Sequence, residues 1–301
     1  MSNNNIIKGV FLVALGATSY GMLATFVKLA YKEDFTTAEV TSSQFILGII
    51  GILIINLFQR TKNKNTAVKA TPKNIMHLML AGTSLGMTSV FYYLAVKHIP
   101  VSIGIVLLMQ TVWMGVLLEW FLDKKAPSAQ KIISVIIVLI GTALAINIFK
   151  IDFNDPTIDW SNGLFWGLLA AASFTTTMFT ANKVALGISS AQRSLYMLLG
   201  GAVIVFGFSL YTQVTPFNFE IFTKWGIVLA LFGTIIPPML LNAGFPHTGI
   251  GLGSIVSSLE LPVSVMMAYF LLNEQVLLIQ WIGIVLIITA IVIMNIQIKK
   301  K

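Results

Sequence analysis

One carboxylate is conspicuous in this sequence because of where it lies. Glu260 falls near the middle of the apolar stretch from Gly251 to Leu272, in a chain of 301 residues of which only 10% are charged. An ionisable side chain at the centre of a bilayer costs at least about 2.5–3.5 kcal/mol, so it normally faces a cavity or a partner. Glu260 is therefore the first candidate for binding a substrate or a proton. The alternative is a structural hydrogen bond to a neighbouring helix.

Other polar and aromatic residues are spaced so that they could meet Glu260 in one chamber. Gln110 lies 150 residues earlier, near the middle of its own apolar stretch. Trp113 follows three residues later on the same helical face, and Tyr92 lies in the preceding stretch. A carboxylate among aromatic rings suits an amphipathic or cationic group. Each ring taken singly could equally pack against other helices or lipid.

Prolines are placed where they could shape that chamber. Pro237 and Pro238 lie at the centre of one apolar stretch, with Asn242 one turn later, and Pro262 follows Glu260 by two residues. Proline removes a backbone donor and clashes with the preceding turn, so these helices should kink or break and free carbonyl groups at midplane depth. Such an interruption is tolerated where it lines a cavity. We therefore expect a gating or site-lining role for the prolines, a passive kink being the alternative, and Asn242 is a further candidate for binding the substrate.

Two lysines lie deep enough to bind a substrate, whereas nothing indicates catalysis. Lys28 and Lys183 each come late in the first apolar stretch of one half of the chain, where they could pair with a substrate carboxylate or extend to the membrane surface. The chain has no cysteine and its three histidines are scattered, so we expect no metal, no cofactor and no catalytic residue. The phosphate-binding pattern Gly-x-x-x-x-Gly-Lys-Ser/Thr is also missing from the sequence, which argues against ATP hydrolysis.

The composition requires a membrane around these residues. Hydrophobic residues make up 56% of the chain and the mean hydropathy is +0.87, whereas a soluble domain carries roughly 25% charged residues. The sequence contains apolar stretches of about 20 residues, the length of a spanning helix. These stretches are Gly9–Ala30, Val40–Phe58, Ile75–Ala95, Val101–Leu122, Ile132–Phe149, Gly163–Asn182, Ser194–Thr212, Trp225–Gly244, Gly251–Leu272 and Val276–Ile296. The sequence thus predicts an all-α polytopic membrane protein with ten transmembrane helices.

Basic residues are concentrated on one side of this predicted bundle. Most of the 19 Lys and Arg residues fall in the loops that share a side with the termini, including Lys64 and the C-terminal Lys299, Lys300 and Lys301. Loops rich in Lys and Arg stay in the cytoplasm. We therefore expect a multi-pass protein of the cytoplasmic (inner or plasma) membrane with both termini cytoplasmic. The basic excess then requires no nucleic-acid partner.

The two halves of the chain resemble each other. The pattern Gly-x-Phe-x-x-x-Leu-x-Ala-x-Ser-aromatic begins at Gly9 and again at Gly163, and further matches follow in the same order, such as Gln130 with Gln280. Five helices are an odd number, so a second repeat of five enters the membrane from the opposite side. We expect residues 1–150 and 151–301 to form two inverted five-helix repeats, an arrangement in which secondary transporters place their substrate site near the midplane.

These features are similar to those of the EamA-type members of the drug/metabolite transporter superfamily, over nearly the whole chain. The more specific similarities are Leu94 to Ser102 (LAVKHIPVS), Leu259 to Val263 (LELPV), Leu272-Asn273-Glu274, Gln280 to Gly283 (QWIG) and Tyr20-Gly21 with Lys28. Gln44-Phe45 and Gln110 with Val112 differ from the Arg-Phe and Glu-Pro pairs that are frequent in the family. The resemblance implies a secondary transporter that moves a small organic metabolite, such as an amino acid or a similar amphipathic solute, by export or facilitated movement.

The expected partners are therefore a small-molecule substrate and membrane lipid. A proton gradient or the gradient of the substrate itself would drive alternating access. A channel, a scaffold or receptor that does not transport, and an intramembrane enzyme are the alternatives. An enzyme would need a nucleophile with a base, paired aspartates or a metal cluster at membrane depth, and a single deep glutamate supplies none of these.

Overall fold

The computed structural model describes residues 3–62, 68–153, 155–156 and 158–295. Throughout this described part the regular secondary structure is helical, without strands. Seven helices or helical runs are long and apolar enough to cross a membrane, and two shorter apolar helices accompany them. The fold is thus the all-α membrane architecture that the composition predicts. Lys64 and Lys299 to Lys301, which contribute to the charge distribution, lie outside the described residues.

The chain folds into twelve α-helices with short 3₁₀ and π segments among the described residues. In chain order the helices are α1 (Asn3–Lys32), α2 (Thr37–Lys62), α3 (Pro72–His98), α4 (Val101–Leu108), α5 (Thr111–Asp123), α6 (Ala129–Ala145), α7 (Trp160–Lys183), α8 (Ser190–Thr212), α9 (Ile227–Ala230), α10 (Ile236–Ser257), α11 (Glu260–Leu272) and α12 (Leu278–Asn295). A 3₁₀ turn covers Ile148–Lys150, and π turns cover Phe222–Gly226 and Leu231–Ile235.

Several helices start at a side chain that caps the first turn. Thr71 accepts a hydrogen bond from the Asn74 amide at the start of α3, and Ser128 and Ser189 do the same for α6 and α8. Asp159 caps α7 by accepting from the Asn162 amide at 3.1 Å. These caps satisfy amide groups that have no acceptor within the helix, and they explain why the helices begin at these residues rather than deeper in the apolar stretches.

Three of the predicted stretches differ from the expected continuous helices. The stretch Val101–Leu122 is divided by a turn at Met109 and Gln110 into α4 and α5. The stretches Trp225–Gly244 and Gly251–Leu272 are joined, because helical hydrogen bonding runs through Gly249 although its backbone (φ 76°, ψ 174°) is not helical. Only glycine adopts this conformation at low cost, so the chain changes direction at Gly249.

The proline pair alters its helix less than expected. Pro237 and Pro238 lie in the first turn of α10 and the helix continues through them. The missing amide groups are accommodated by the preceding π turn, Leu231–Ile235. Pi turns of this kind leave carbonyl groups free for other donors. One such group, the Phe232 carbonyl, accepts a hydrogen bond from the Ser19 hydroxyl.

The helices pack in a pattern that is repeated between the halves. Helix α1 packs against α10 and α11 of the second half, and α7 correspondingly packs against α3, α4 and α5 of the first. Similar hydrogen bonds join the halves: Ser19 on α1 donates to the Phe232 carbonyl in the π turn before α10 at 3.1 Å, and Ser173 on α7 donates to the Ser84 carbonyl on α3 at 3.2 Å. The two serines are equivalent in the repeat pattern of the sequence.

Helices α6 and α12 form a second reciprocal contact. Gln280 at the start of α12 donates to the Ala145 carbonyl at the end of α6 at 3.0 Å, and Gln130 at the start of α6 donates to the Ile293 carbonyl near the end of α12. Gly141 and Gly283 let the backbones approach, since a Cβ on Gly141 would lie 2.9 Å from the Gly283 carbonyl oxygen.

One pair of equivalent positions uses different chemistry in the two halves. Glu119 on α5 forms an ion pair with Lys131 on α6, both side chains being about four-fifths buried. The positions 150 residues later are Tyr269 on α11 and Trp281 on α12, whose rings pack edge to face with centroids 6.0 Å apart. The Glu119 carboxylate also lies against Gly249, where a Cβ would come within 2.7 Å of Oε1.

Candidate functional site

The two broken helices place the main polar candidates at equivalent points. Gln110 is the residue before α5 and Glu260 is the first residue of α11, and each of these half-helices is 13 residues long. Both breaks are tightened by short-range hydrogen bonds, from the Val112 amide to the Met109 carbonyl at 3.1 Å and from the Leu261 amide to the Ser258 carbonyl at 3.2 Å. Since the break occurs in both halves, Pro262 cannot be its sole cause.

Glu260 lies in the first turn of a helix, near two phenols. A carboxylate in the first turn of a helix is favoured by the unpaired amide groups and by the helix dipole. The Glu260 carboxylate lies within electrostatic range of the Tyr20 hydroxyl on α1 and the Tyr92 hydroxyl on α3. Its side chain is partly accessible within the bundle. The structure thus brings together Glu260 and Tyr92, and it adds Tyr20, which the sequence indicated only through the family resemblance.

Helix α1 approaches Glu260 closely because of a glycine. A Cβ on Gly21 would lie 2.8 Å from the Cβ of Val263 and would contact the Glu260 carbonyl oxygen even more closely. The Tyr92 ring is held from the other side by α4, since a Cβ on Gly104 would lie 3.3 Å from its edge. Tyr92 also packs edge to face on Tyr93, with ring centroids 6.0 Å apart. Glu260, Tyr20 and Tyr92 form what we call the Glu260 cluster, and helices α1, α3, α4 and α11 hold it together.

Gln110 and Trp113 form a contact of their own. The Trp113 indole donates to Gln110 Oε1 at 2.8 Å, and Gln110 Nε2 donates to the Val106 carbonyl at 3.0 Å. These bonds bridge the break between α4 and α5. The predicted proximity of Gln110 and Trp113 on one helical face is confirmed, and the Gln110 amide finds both partners within its own helix pair.

A small cavity lies between the first helices of the two halves. Tyr20 and its repeat counterpart Phe174 pack edge to face there, with ring centroids 6.2 Å apart. The cavity has a volume of about 20 Å³, close to the smallest that holds a water molecule. Its lining includes Pro238 and Asn242. Asn242 is 2% exposed and donates to the Ser194 hydroxyl at 2.8 Å, whereas its Oδ1 has no hydrogen-bond partner among the described residues.

The two candidate lysines lie at the ends of their helices, away from Glu260. Lys28 forms an ion pair with Glu274, one residue after the C-cap of α11, and Lys183 forms one with Asp123 at the end of α5 at 3.4 Å. Their ammonium groups thus already have protein partners. The alternative that the sequence offered, extension toward the surface, fits their exposure of about one half.

Arg193 is the largest fully buried side chain described, and nothing in its local sequence marks it as such. Its guanidinium is 2% exposed and donates to four backbone carbonyls, of Val184 at 3.0 Å, Asn242 at 2.6 Å, Thr180 at 2.9 Å and Ala181 at 2.6 Å. Thr180 and Ala181 belong to the last turn of α7, where the Thr180 carbonyl also accepts from the Val184 amide at 3.0 Å, and where the last carbonyl groups lack helical donors. Asn242 lies four residues before Pro246, which has no amide hydrogen to give it. Arg193 therefore satisfies carbonyls that the fold leaves free, and it fixes the backbone of Asn242.

A buried carboxylate occupies the corresponding region of the first half. Glu39, in the first turn of α2, is 2% exposed and accepts hydrogen bonds from the amides of Thr36 and Asn218, both at 2.7 Å, and from Gln213 at 3.1 Å. Glu39 thus accepts from backbone amides near the start of α2, much as Arg193 donates to backbone carbonyls at the end of α7. The sequence showed both residues only as charges near helix ends, because their partners come from distant segments.

Comparison with known proteins agrees with this architecture. The model of the EamA-like transporter family matches the chain twice, at residues 7–147 and 161–296. A crystal structure of a protein superimposes with a TM-score of 0.77 over 96% of this chain and 97% of that one, at 13% sequence identity, which shows a shared fold. No curated protein sequence matches the chain. The two family matches together cover most of the sequence, and the chain belongs to the EamA-like transporter family.

Proposed function

We propose that the chain is a secondary transporter that carries a small organic metabolite across the cytoplasmic membrane by alternating access. Membership of the family supports transport of a small molecule within a lipid bilayer. The observation that carries the mechanism is the pair of helices broken at equivalent points, α4–α5 and α10–α11, one of which places Glu260 in the interior. Broken helices near the midplane are a recurrent way for transporters to build a substrate site.

Ten crossings in two inverted repeats are the topology that fits this mechanism. The helical run Phe222–Leu272 has 51 residues, which would extend about 77 Å if straight, more than twice the roughly 30 Å of a bilayer core. Its change of direction at Gly249 makes it two crossings. Together with the six other long helices and the shorter α6 and α12, it gives ten, five in each repeat. The reciprocal contacts of Ser19 and Ser173 support a two-fold relation between the repeats.

The orientation and direction follow from charge and from the family resemblance. Ten crossings put both termini on one side, and the basic loops favour the cytoplasm for that side. Export of an amino acid or a similar amphipathic solute is the direction that we propose, driven by protons or by the gradient of the substrate itself.

The Glu260 cluster is the substrate site in this proposal. Glu260 and Tyr92 would contact the polar part of the substrate, and Asn242 would offer its free Oδ1 from the adjoining cavity. Gln110 and Trp113 would line the same level from the broken helix of the first half. Pro237, Pro238 and Pro262 would allow the backbone near the site to adjust as the chamber opens.

Uptake into proteoliposomes tests the proposal. The purified protein should transport at least one member of a panel of amino acids and amphipathic cations, measured with and without a pH gradient. Glu260→Gln should keep the fold and change the substrate affinity or its pH dependence, whereas Glu220→Gln, at an exposed acid just before the π turn Phe222–Gly226, should leave both unchanged. Transport by Glu260→Gln identical to the parent at every pH would remove Glu260 from the site, and absence of transport across the panel would contradict the function.

A further inference from the structure

We propose that the ion pairs Lys28–Glu274 and Lys183–Asp123 are latches that close opposite faces of the protein in turn. Each latch must open for its own face to admit solute, and it closes while the other face is open. This inference rests on the proposed alternating access. It assigns to Lys28 and Lys183 a gating role in place of substrate binding.

The two pairs are related by the repeat. Each lysine lies near the end of the first helix of one half, Lys28 on α1 and Lys183 on α7. Each acid lies at the end of the broken helix of the other half, Glu274 just after α11 and Asp123 as the last residue of α5. Both latches therefore join the two halves. In the ten-crossing topology they lie on opposite faces of the membrane.

Each latch is connected to the substrate site by one half-helix. Helices α5 and α11 are 13 residues long, or about 20 Å. Their inner ends lie at Gln110, the residue before α5, and at Glu260, the first residue of α11, each beside a break that can absorb a change of angle. At the outer end each stops at a left-handed residue, Lys124 with φ 52° and Asn273 with φ 54°. A movement at the break would thus be carried along a rigid helix to the latch.

The exposure of the latches suits contacts that open in every cycle. The side chains of both pairs are about half exposed, at 52% and 43% for Lys28 and Glu274 and 46% and 47% for Lys183 and Asp123. Ion pairs in contact with water contribute little to stability, because solvent competes for both charges. The buried pair Glu119–Lys131, by contrast, is a poor candidate for repeated opening.

Both latches are closed in this structure. The cavity between the halves, beside Tyr20 and Asn242, has a volume of about 20 Å³. That cavity is too small for a metabolite, so in our proposal this conformation is the one in which both latches are shut. Opening one latch should convert it to a state that is open on that face.

The absence of cysteine from the sequence permits a direct test. A single reporter, Tyr92→Cys, is placed in the chamber, and its reaction with a membrane-impermeant maleimide is measured from each side of oriented vesicles, without substrate. Lys28→Glu should increase labelling from the extracytoplasmic side by about three- to tenfold, the population shift expected when a weak attraction is replaced by repulsion. Lys183→Glu should increase labelling from the cytoplasmic side by a similar factor and lower it from the other side.

Controls separate latch opening from a general effect of charge. The double variants Lys28→Glu/Glu274→Lys and Lys183→Glu/Asp123→Lys restore the attraction, and labelling should return to the level of the reporter alone. Lys32→Glu makes the same charge change one turn after Lys28 and should leave labelling unchanged. Lys125→Glu serves the same purpose near Asp123 on the other face.

Two results would contradict the proposal that these ion pairs act as latches. One is labelling that does not change in Lys28→Glu and Lys183→Glu, and the other is labelling that changes in the same direction in both. Labelling requires no knowledge of the substrate, so a failure here is distinct from a failure of the transport assay. If labelling shifts in opposite directions but no solute is transported, the ion pairs control access and the proposed transport function is rejected. If solute is transported but labelling does not shift, the transport function stands and the latches are rejected.

Discussion

Arg193 offers a test of how a buried charge stabilises this fold. Arg193→Met removes four hydrogen bonds from the guanidinium to backbone carbonyls. The Thr180 carbonyl keeps the Val184 amide at 3.0 Å as a donor, but the Asn242 carbonyl has no helical donor because position 246 is proline. A buried carbonyl left without a donor costs about 1–3 kcal/mol, and removal of the buried charge returns part of that cost. We expect a net loss of about 3 kcal/mol in the free energy of unfolding.

A second substitution makes the prediction specific. Pro246→Ala restores an amide hydrogen four residues after Asn242, so the Asn242 carbonyl regains a donor in its own helix. In the Arg193→Met background this should recover about 1–2 kcal/mol. In the parent it should have a small effect, because the carbonyl is already satisfied by Arg193 at 2.6 Å.

The assay is a double-mutant cycle on the purified protein in mixed micelles, with unfolding by SDS followed by circular dichroism. The four proteins are the parent, Arg193→Met, Pro246→Ala and the double variant. A coupling energy of at least about 1 kcal/mol is expected, since the two residues compete for one acceptor. Additive effects, within about 0.5 kcal/mol, would refute the idea that Arg193 replaces the amide that proline removes. An Arg193→Met protein as stable as the parent would also refute the argument that the buried guanidinium stabilises the fold through its hydrogen bonds.

Two further predictions concern the approach of α1 to Glu260 and the cap of α7. Gly21→Val should lower the free energy of unfolding by about 1–3 kcal/mol through overpacking against Val263, and it should abolish transport. Gly207→Val is the control and should be tolerated, since nothing lies within 4 Å of its Cβ. Equal melting temperatures for the two variants would contradict this prediction. The Asn162 side chain and amide lower the pKa of Asp159, so stability from this cap is present above the ordinary pKa of Asp and is lost as pH falls through the lowered value. Melting temperatures measured from about pH 5 to 2 should fall less steeply in Asp159→Ala than in the parent, and parallel curves would contradict the assignment.

Most of the fold and part of the site can be predicted from the sequence. Apolar length alone identifies the helices, and the repeat offset pairs Gln110 with Glu260, which the structure places at equivalent breaks. The break beside Glu260 was expected from Pro262, whereas the break at Gln110 was not predicted, since no proline lies near it. Local sequence also cannot show partners that are far apart in the chain. Lys28 meets an acid 246 residues away.

Arg193 shows why other residues escape sequence analysis. In the sequence it is one more basic residue near a loop. Its role depends on where α7 ends and on a proline more than fifty residues later, at position 246. Tyr20 likewise packs against Phe174 in the other half of the chain, a contact that no local sequence pattern specifies. Side chains that serve another segment's backbone are visible only once the helices are packed.

The unequal pairs at equivalent positions, Glu119–Lys131 and Tyr269–Trp281, join the two half-helices to their neighbours with different strength. Separation of a mostly buried ion pair leaves two charges without a partner in a poorly solvated place, and dissolved salt screens such a pair only weakly. Separation of two aromatic rings loses only their contact and its preferred geometry. In the proposed transport cycle, α5 should therefore stay fixed to α6 while α11 moves more easily against α12, so that a backbone with two equivalent halves would move unequally.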